Sequence, residues 1–159
     1  MPYTAAIITI SDRASAGTYE DLNGPELDRL LAGEGFSVLC RILLPDEREK
    51  ISAALIELCD TRGADLILTT GGTGFAPRDI TPEATRDVIE REAPGIAEAI
   101  RLESLKITPR AMLSRGIAGI RGPTLIINLP GNPNAVRECF EVIRPALGHA
   151  LELLLAVSG

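Results

Sequence analysis

The stretch LILTTGGTGFAPRDITPEAT, Leu66 to Thr85, runs from an apolar segment through a glycine-rich turn into a helix start. Leu66 to Thr70 is short, apolar and strand-like, and predicts a strand too hydrophobic for a solvent-facing sheet. Gly71, Gly72 and Gly74 remove side chains where a bound phosphate needs close approach to the backbone. Thr69, Thr70 and Thr73 add hydroxyl donors. Thr81 followed by Pro82 marks the next helix, with helical composition to about Glu92. Strand, loop and helix in this order are the repeating unit of an α/β sheet.

The same alternation extends in both directions. Upstream, Ala5 to Ile10 reads as a buried strand ending in Ser11 and Asp12. Gly24 and Pro25 open a helix carrying Leu27, Leu30 and Leu31, which stops before Gly33 and Gly35. Phe36 to Leu44 reads as a second strand. Ile51, Ala54, Leu55, Leu58 and Cys59 form the stripe of an amphipathic helix that Gly63 terminates. Downstream, a helix is expected from Ile96 to about Lys106, then strands at Ile117 to Ile120 and Thr124 to Asn128 around a turn at Arg121, Gly122 and Pro123. Ala135, Val136, Cys139, Phe140 and Ile143 mark another helix, and the chain ends helically. The fold expected is α/β: three α/β/α layers with a mostly parallel central sheet covered on both faces, in one domain over residues 1–159. In such sheets ligands bind beyond the carboxyl ends of the strands, where strand order reverses. Attention therefore falls on the loops Ser11 to Gly17, Thr69 to Asp79 and Asn128 to Pro133.

Composition narrows the classes of function. A net charge of -6 and a pI near 4.9 oppose broad attraction to nucleic acid or an anionic membrane, and three Phe, two Tyr and no Trp leave little for base stacking. No apolar run approaches the roughly 20 residues of a membrane span, and MPYTAAIITISD lacks the features of a signal peptide, so a cytoplasmic protein is expected. Cys40, Cys59 and Cys139 are widely separated among apolar residues, as reduced core thiols would be. An anionic small molecule remains a good fit, because backbone amides, a metal ion and a few arginines create a positive site on an acidic protein.

The glycine loop is neither a Walker A motif nor a dinucleotide fingerprint, and alone it is equally a tight strand-to-helix turn. Three longer motifs are more specific: TTGGTG followed by PRDITPEAT, the early TISDRASAGTYED, and the late LSRGIAGIRGPTLIINLPGNP. In this order, across nearly the whole chain, they resemble the molybdopterin adenylyltransferase family, whose fold recurs in the gephyrin-type G domain. The resemblance implies a molybdopterin-binding-domain fold and transfer of AMP from ATP to molybdopterin, with Mg2+ required and pyrophosphate released. It also implies a homo-oligomer, a trimer or a hexamer of paired trimers, with other molybdenum-cofactor enzymes as partners and no nucleic acid or membrane.

Carried over residue by residue, the resemblance makes Asp79 and Asp46 the catalytic and Mg2+-holding carboxylates. Each has a local alternative. Asp79 precedes a helix start, although Thr81 is available as its cap, and Asp46 with Glu49 reads as a capping box. Ser11, Asp12, Thr70, Gly71, Gly72, Thr73 and Gly74 are candidate substrate contacts. Ser114, Asn128, Pro130 and Gly131 match the part of the family's motif associated with the pterin, and Asn132 is a further candidate substrate contact. Ser114 is also a plausible turn residue, and Asn128 a satisfied strand-end amide. Arg13, Arg78 and Arg115 are available to neutralise phosphates, while His149 lies away from all three loops. The chain lacks the insertion that some bacterial relatives carry after NLPGNP. The rival readings are a non-catalytic molybdopterin carrier and a scaffolding domain; both aspartates being present favours the enzyme.

Overall fold

The computed structural model describes residues 3–156. Strands β1 (Thr4–Ile10), β2 (Ser37–Leu44), β3 (Leu66–Thr70), β4 (Arg91–Glu92), β5 (Ala118–Arg121) and β6 (Thr124–Leu129) form one sheet in the order β2-β1-β3-β6-β5-β4. The neighbours β2, β1, β3 and β6 are parallel, while β5 runs antiparallel to both β6 and β4. The chain leaves β1 toward β2 and later returns on the other side as β3. The order thus reverses at β1, and the crevice above the carboxyl ends of β1 and β3 is where such a sheet accepts ligands.

Alternate residues of the central strands enter two cores. Ile7, Leu68 and Ile127 pack with Leu27 and Leu31 of α2 (Asn23–Gly33), Ile100 of α5 (Pro94–Leu105) and Phe140 of α6 (Pro133–Ala156). Ile8, Ile67 and Ile126 pack on the opposite face with Ile51 and Leu55 of α3 (Arg48–Ile56) and Ala84 of α4 (Thr81–Arg86). A short helix, α1 (Asp12–Ser15), follows β1. The expected three layers and mostly parallel sheet are therefore present. The edge strand β2 is an exception to coverage on both faces: Ser37, Arg41 and Leu43 are exposed, and among the described residues no further strand pairs with that edge.

Four local expectations change. Helix α4 stops at Arg86, and of the segment expected to remain helical to Glu92, residues 87–90 form a turn and Arg91–Glu92 become β4, with Glu90 N donating to Ile120 O and Ala93 N to Ala118 O. Sheet pairing, followed by Pro94, overrides helical composition there. Thr81 is the first residue of α4 rather than its cap, and its Oγ1 donates to Gly71 O at 2.9 Å. The capping box at Asp46 is absent, since Glu47 precedes α3 and no side chain caps it. The last two helical signals belong to one helix, α6, which continues through Pro145 on its exposed side.

Candidate functional site

The carboxyl ends of β1 and β2 are joined by two aspartates. Asp12 N donates to Asp46 Oδ2 at 3.0 Å, and Asp46 N donates to Asp12 Oδ1 at 2.9 Å. This reciprocal link explains why Asp46 is not a helix cap: its carboxyl is turned across the sheet. Ser11 caps α1, its Oγ accepting from Ala14 N. Arg78, from the loop after β3, closes over Asp12 with two hydrogen bonds of 2.9 Å. The Arg78 guanidinium and the Asp46 amide hold the Asp12 carboxyl below its ordinary range. Asp46 moves the other way: burial raises its pKa, and the Asp12 and Asp79 carboxylates raise it further. Negative charge thus converges here with incomplete compensation.

The glycine loop brings these carboxylates against the backbone. Gly71 has φ +100°, and a Cβ there would lie 2.2 Å from Ile10 O, so the loop crosses directly over the end of β1. At Gly72 (φ +70°) a Cβ would meet Thr81 Oγ1 at 2.2 Å and Asp46 Oδ1 at 3.0 Å. Gly74 leaves room for Asp79, whose Oδ2 accepts from Ala76 N at 3.0 Å. Arg115 braces the loop through Gly74 O, Asp79 O and Glu83, so its charge is already engaged.

Two cavities meet on this loop. One, of about 480 Å³, is acidic and is lined by Ser11, Asp12, Asp46, Thr70 and Gly71, together with Asp21 and Asn23. The second, of about 670 Å³, combines apolar Ile107 and Leu113 with Thr73, Ser114, Asn132 and Arg101. Gly72, Asp79 and Gly131 border both. A third cavity, about 430 Å³ between α5 and α6, is walled by aliphatic side chains such as Val142 and Leu147 and offers no side chain for chemistry.

Most of the sequence-derived residues therefore converge, with one clear exception. Asn128 is 4% exposed and faces neither cavity: its Oδ1 accepts from Ile117 N, and its Nδ2 donates to Thr69 and Thr85 hydroxyls. It is a satisfied internal amide that joins β6 to β3 and α4, and its expected contact with substrate is withdrawn. Thr70 turns its hydroxyl inward to Pro130 O, so only its surroundings face the cavity. Ser114 Oγ accepts weakly from Gly116 N, which leaves its proton to donate. Asn132 Oδ1 accepts from Asn134 and Ala135 amides at the start of α6, leaving its NH2 group for a ligand. Pro130 and Gly131 supply backbone to the cavity walls. Arg13 stacks over Tyr19 at the rim of the acidic cavity, whereas exposed His149 pairs with Glu152 on α6 and lines neither cavity.

Sequence reasoning missed Asp21, Asn23 and Arg101. Asp21 Oδ1 accepts from Asn23 N and Gly24 N at the start of α2, a capping signal visible in EDLNGP. Arg101 projects from α5 to Gly116 O, and nothing in its local sequence distinguishes it from a solvated helix arginine. Among the described residues no three carboxylate, imidazole or thiolate groups gather closely enough to hold a metal by themselves. The hard oxygen donors Asp46 and Asp79 nevertheless suit a divalent cation whose remaining ligands are substrate phosphates, as Mg2+ is commonly held.

Residues 6–149 match the family model described as a probable molybdopterin binding domain. The chain is 47% identical to a molybdopterin adenylyltransferase of Helicobacter pylori strain J99 over 151 residues, 94% of this chain and 86% of that protein. It is 44% identical to the molybdopterin adenylyltransferase of Escherichia coli K12, over 91% of this chain and 75% of that one. Among solved structures, the molybdopterin biosynthesis enzyme MoaB from Thermus thermophilus superposes with a TM-score of 0.92 at 49% identity, covering 97% of each chain.

Proposed function

Because this chain belongs to the molybdopterin-binding domain family of molybdenum-cofactor synthesis, we propose that its adjoining cavities hold the two substrates of molybdopterin adenylyl transfer. The acidic cavity takes ATP and the mixed apolar and polar cavity takes molybdopterin. The observation that carries this reading is the shared border at Gly72, Asp79 and Gly131, where two ligands would bring their phosphates together.

In the reaction, an oxygen of the terminal phosphate of molybdopterin forms a bond to the α-phosphorus of ATP. The bond from that phosphorus to the bridging oxygen breaks, and pyrophosphate leaves. Such a transfer between anions depends on alignment and charge neutralisation more than on covalent help from the protein. Asp46 and Asp79 are the residues that would hold Mg2+, which would supply that neutralisation when bound along with the substrate phosphates. The Asp12 and Asp79 carboxylates beside partly buried Asp46 support this placement, since a cation would relieve their mutual repulsion. The glycine loop presents backbone without side chains to the phosphates, Ser11 and Asp12 lie at the rim of the nucleotide cavity, and Arg78 stands where it can exchange Asp12 for phosphate. On the other side, Ser114 and Asn132 offer donors to the pterin edge while Ile107 and Leu113 cover its flat face.

The chain acts as one domain, in the cytoplasm, and assembles as a homotrimer or a hexamer of trimers alongside other molybdenum-cofactor enzymes. No described helix is long and apolar enough to cross a membrane. The deciding experiment incubates purified protein with molybdopterin, Mg2+ and α-labelled ATP. Labelled adenylyl-molybdopterin is expected; binding of molybdopterin without any Mg2+-dependent product would favour a carrier.

A further inference from the structure

Asn23, the first residue of α2, is 7% exposed and lines the acidic cavity. The acceptors around it fix the orientation of its amide. Nδ2 lies 2.7 Å from Gly131 O and 3.2 Å from Thr70 Oγ1. A carbonyl oxygen can only accept, and Thr70 Oγ1 already donates its proton to Pro130 O at 2.7 Å. Both neighbours therefore require the NH2 end. Oδ1 is left buried without a hydrogen-bond partner, the only side-chain nitrogen or oxygen in that condition among the described residues. A buried unpaired acceptor is rare in native proteins and calls for a specific explanation. The neighbouring polar groups show no such deficit: Thr9 is bound to Asp21, Thr81 to Gly71 O, and Asn128 to three partners.

An acceptor that lacks a donor specifies the chemistry of its ligand. Phosphate oxygens are themselves acceptors at neutral pH and are repelled by it, whereas a hydroxyl or an amine is complementary. The adjoining wall has the same polarity, because the Asp21 carboxylate lines the same cavity and accepts from Thr9 Oγ1 and from the Asn23 and Gly24 amides. Oδ1 itself presents almost no accessible surface, so a donor reaches it only as the ligand closes against this wall, and such a donor meets little competition from solvent.

We propose that Asn23 Oδ1 accepts a hydrogen bond from the nucleoside half of the nucleotide, from a ribose hydroxyl or the exocyclic amine of the base, and so helps to select it. The inference rests on assigning the acidic cavity to ATP. Its second amide function, bonding Thr70 and Gly131, ties that recognition to the wall shared by the two cavities.

The test compares KM and kcat for ATP, 2′-deoxy-ATP, 3′-deoxy-ATP and purine riboside triphosphate, which lacks the amine, in the wild-type protein and in Asn23→Ala. In the wild type, the analogue missing the relevant donor is expected to raise KM about three- to tenfold, the value of one neutral hydrogen bond, with kcat little changed. That penalty should disappear in Asn23→Ala, whatever the variant does to turnover in general. The proposal is overturned if no analogue differs from ATP in the wild type, or if the same penalty persists in the variant. Should Asn23→Ala fail to fold, Asn23→Ser, which shortens the side chain and withdraws Oδ1 with less loss of packing, takes its place in the same comparison. If ATP yields no product at all, the parent assignment of activity has failed, and calorimetric binding of the same nucleotides reads the discrimination independently.

Discussion

Asp46 and Asp79 differ in what surrounds them. Asp46 is partly buried and faces two other carboxylates, so folding favours its protonated form. A carboxyl whose folded pKa lies above its unfolded value stabilises the fold below the unfolded pKa, and that contribution is lost as pH rises through the folded value. Asp46→Asn is therefore expected to gain thermal stability relative to wild type as pH rises from about 4 toward neutrality, while its turnover falls. Melting curves across that pH range check it, and a stability difference independent of pH would contradict the assignment. Asp79→Asn keeps the size of the side chain but removes the charge at the border of the two cavities. A drop in kcat of about 100-fold or more is expected, with molybdopterin binding retained. Parallel loss of binding and folding would instead mark Asp79 as a structural brace of the loop through Ala76 N.

At the scale of elements, the glycine loop and α6 respond oppositely to added methyl groups. Gly71 combines φ +100° with a Cβ position 2.2 Å from Ile10 O, a backbone atom of the central strand that cannot retreat. Gly71→Ala should cost about 3 kcal/mol or more, read by urea denaturation, because strain and overlap add. Gly148, inside α6, has open space where a Cβ would sit. Gly148→Ala should stabilise the protein by about 0.5–1 kcal/mol in the same assay. Strands β1 and β3, the glycine turn and the start of α2 were legible because each joins an apolar run to a residue with restricted backbone options. The β4 segment was not, since a two-residue strand carries no periodicity and forms only when β5 is beside it.

Over the whole molecule, the two cores enclose two of the three thiols. Cys59 and Cys139 are 8% and 1% exposed, and burial raises both pKa values, while Cys40 on the edge strand is only partly covered. A thiol reagent should therefore modify Cys40 first in the native state, and all three cysteines only after unfolding. Equal native rates at all three sites would mean that the sheet's two faces are not closed as described. The candidate site is likewise a property of the assembled sheet. It forms where the strand order reverses at β1, which brings Asp12, Asp46 and the loop after β3 together from segments far apart in the chain.

The sequence alone determined the α/β alternation, the glycine loop and Asp79 beside it, because these depend on local hydrophobic period and backbone permissiveness. Its motifs also carried the resemblance to the adenylyltransferases. Only the tertiary structure decided which way side chains turn. It withdrew Asn128 into a closed hydrogen-bond network, released Asp46 from a capping role into a cross-strand pair, and left Asn23 with one buried oxygen unpaired. The physical reason is that hydrogen-bond satisfaction and burial are settled by partners tens of residues away, which no local pattern records.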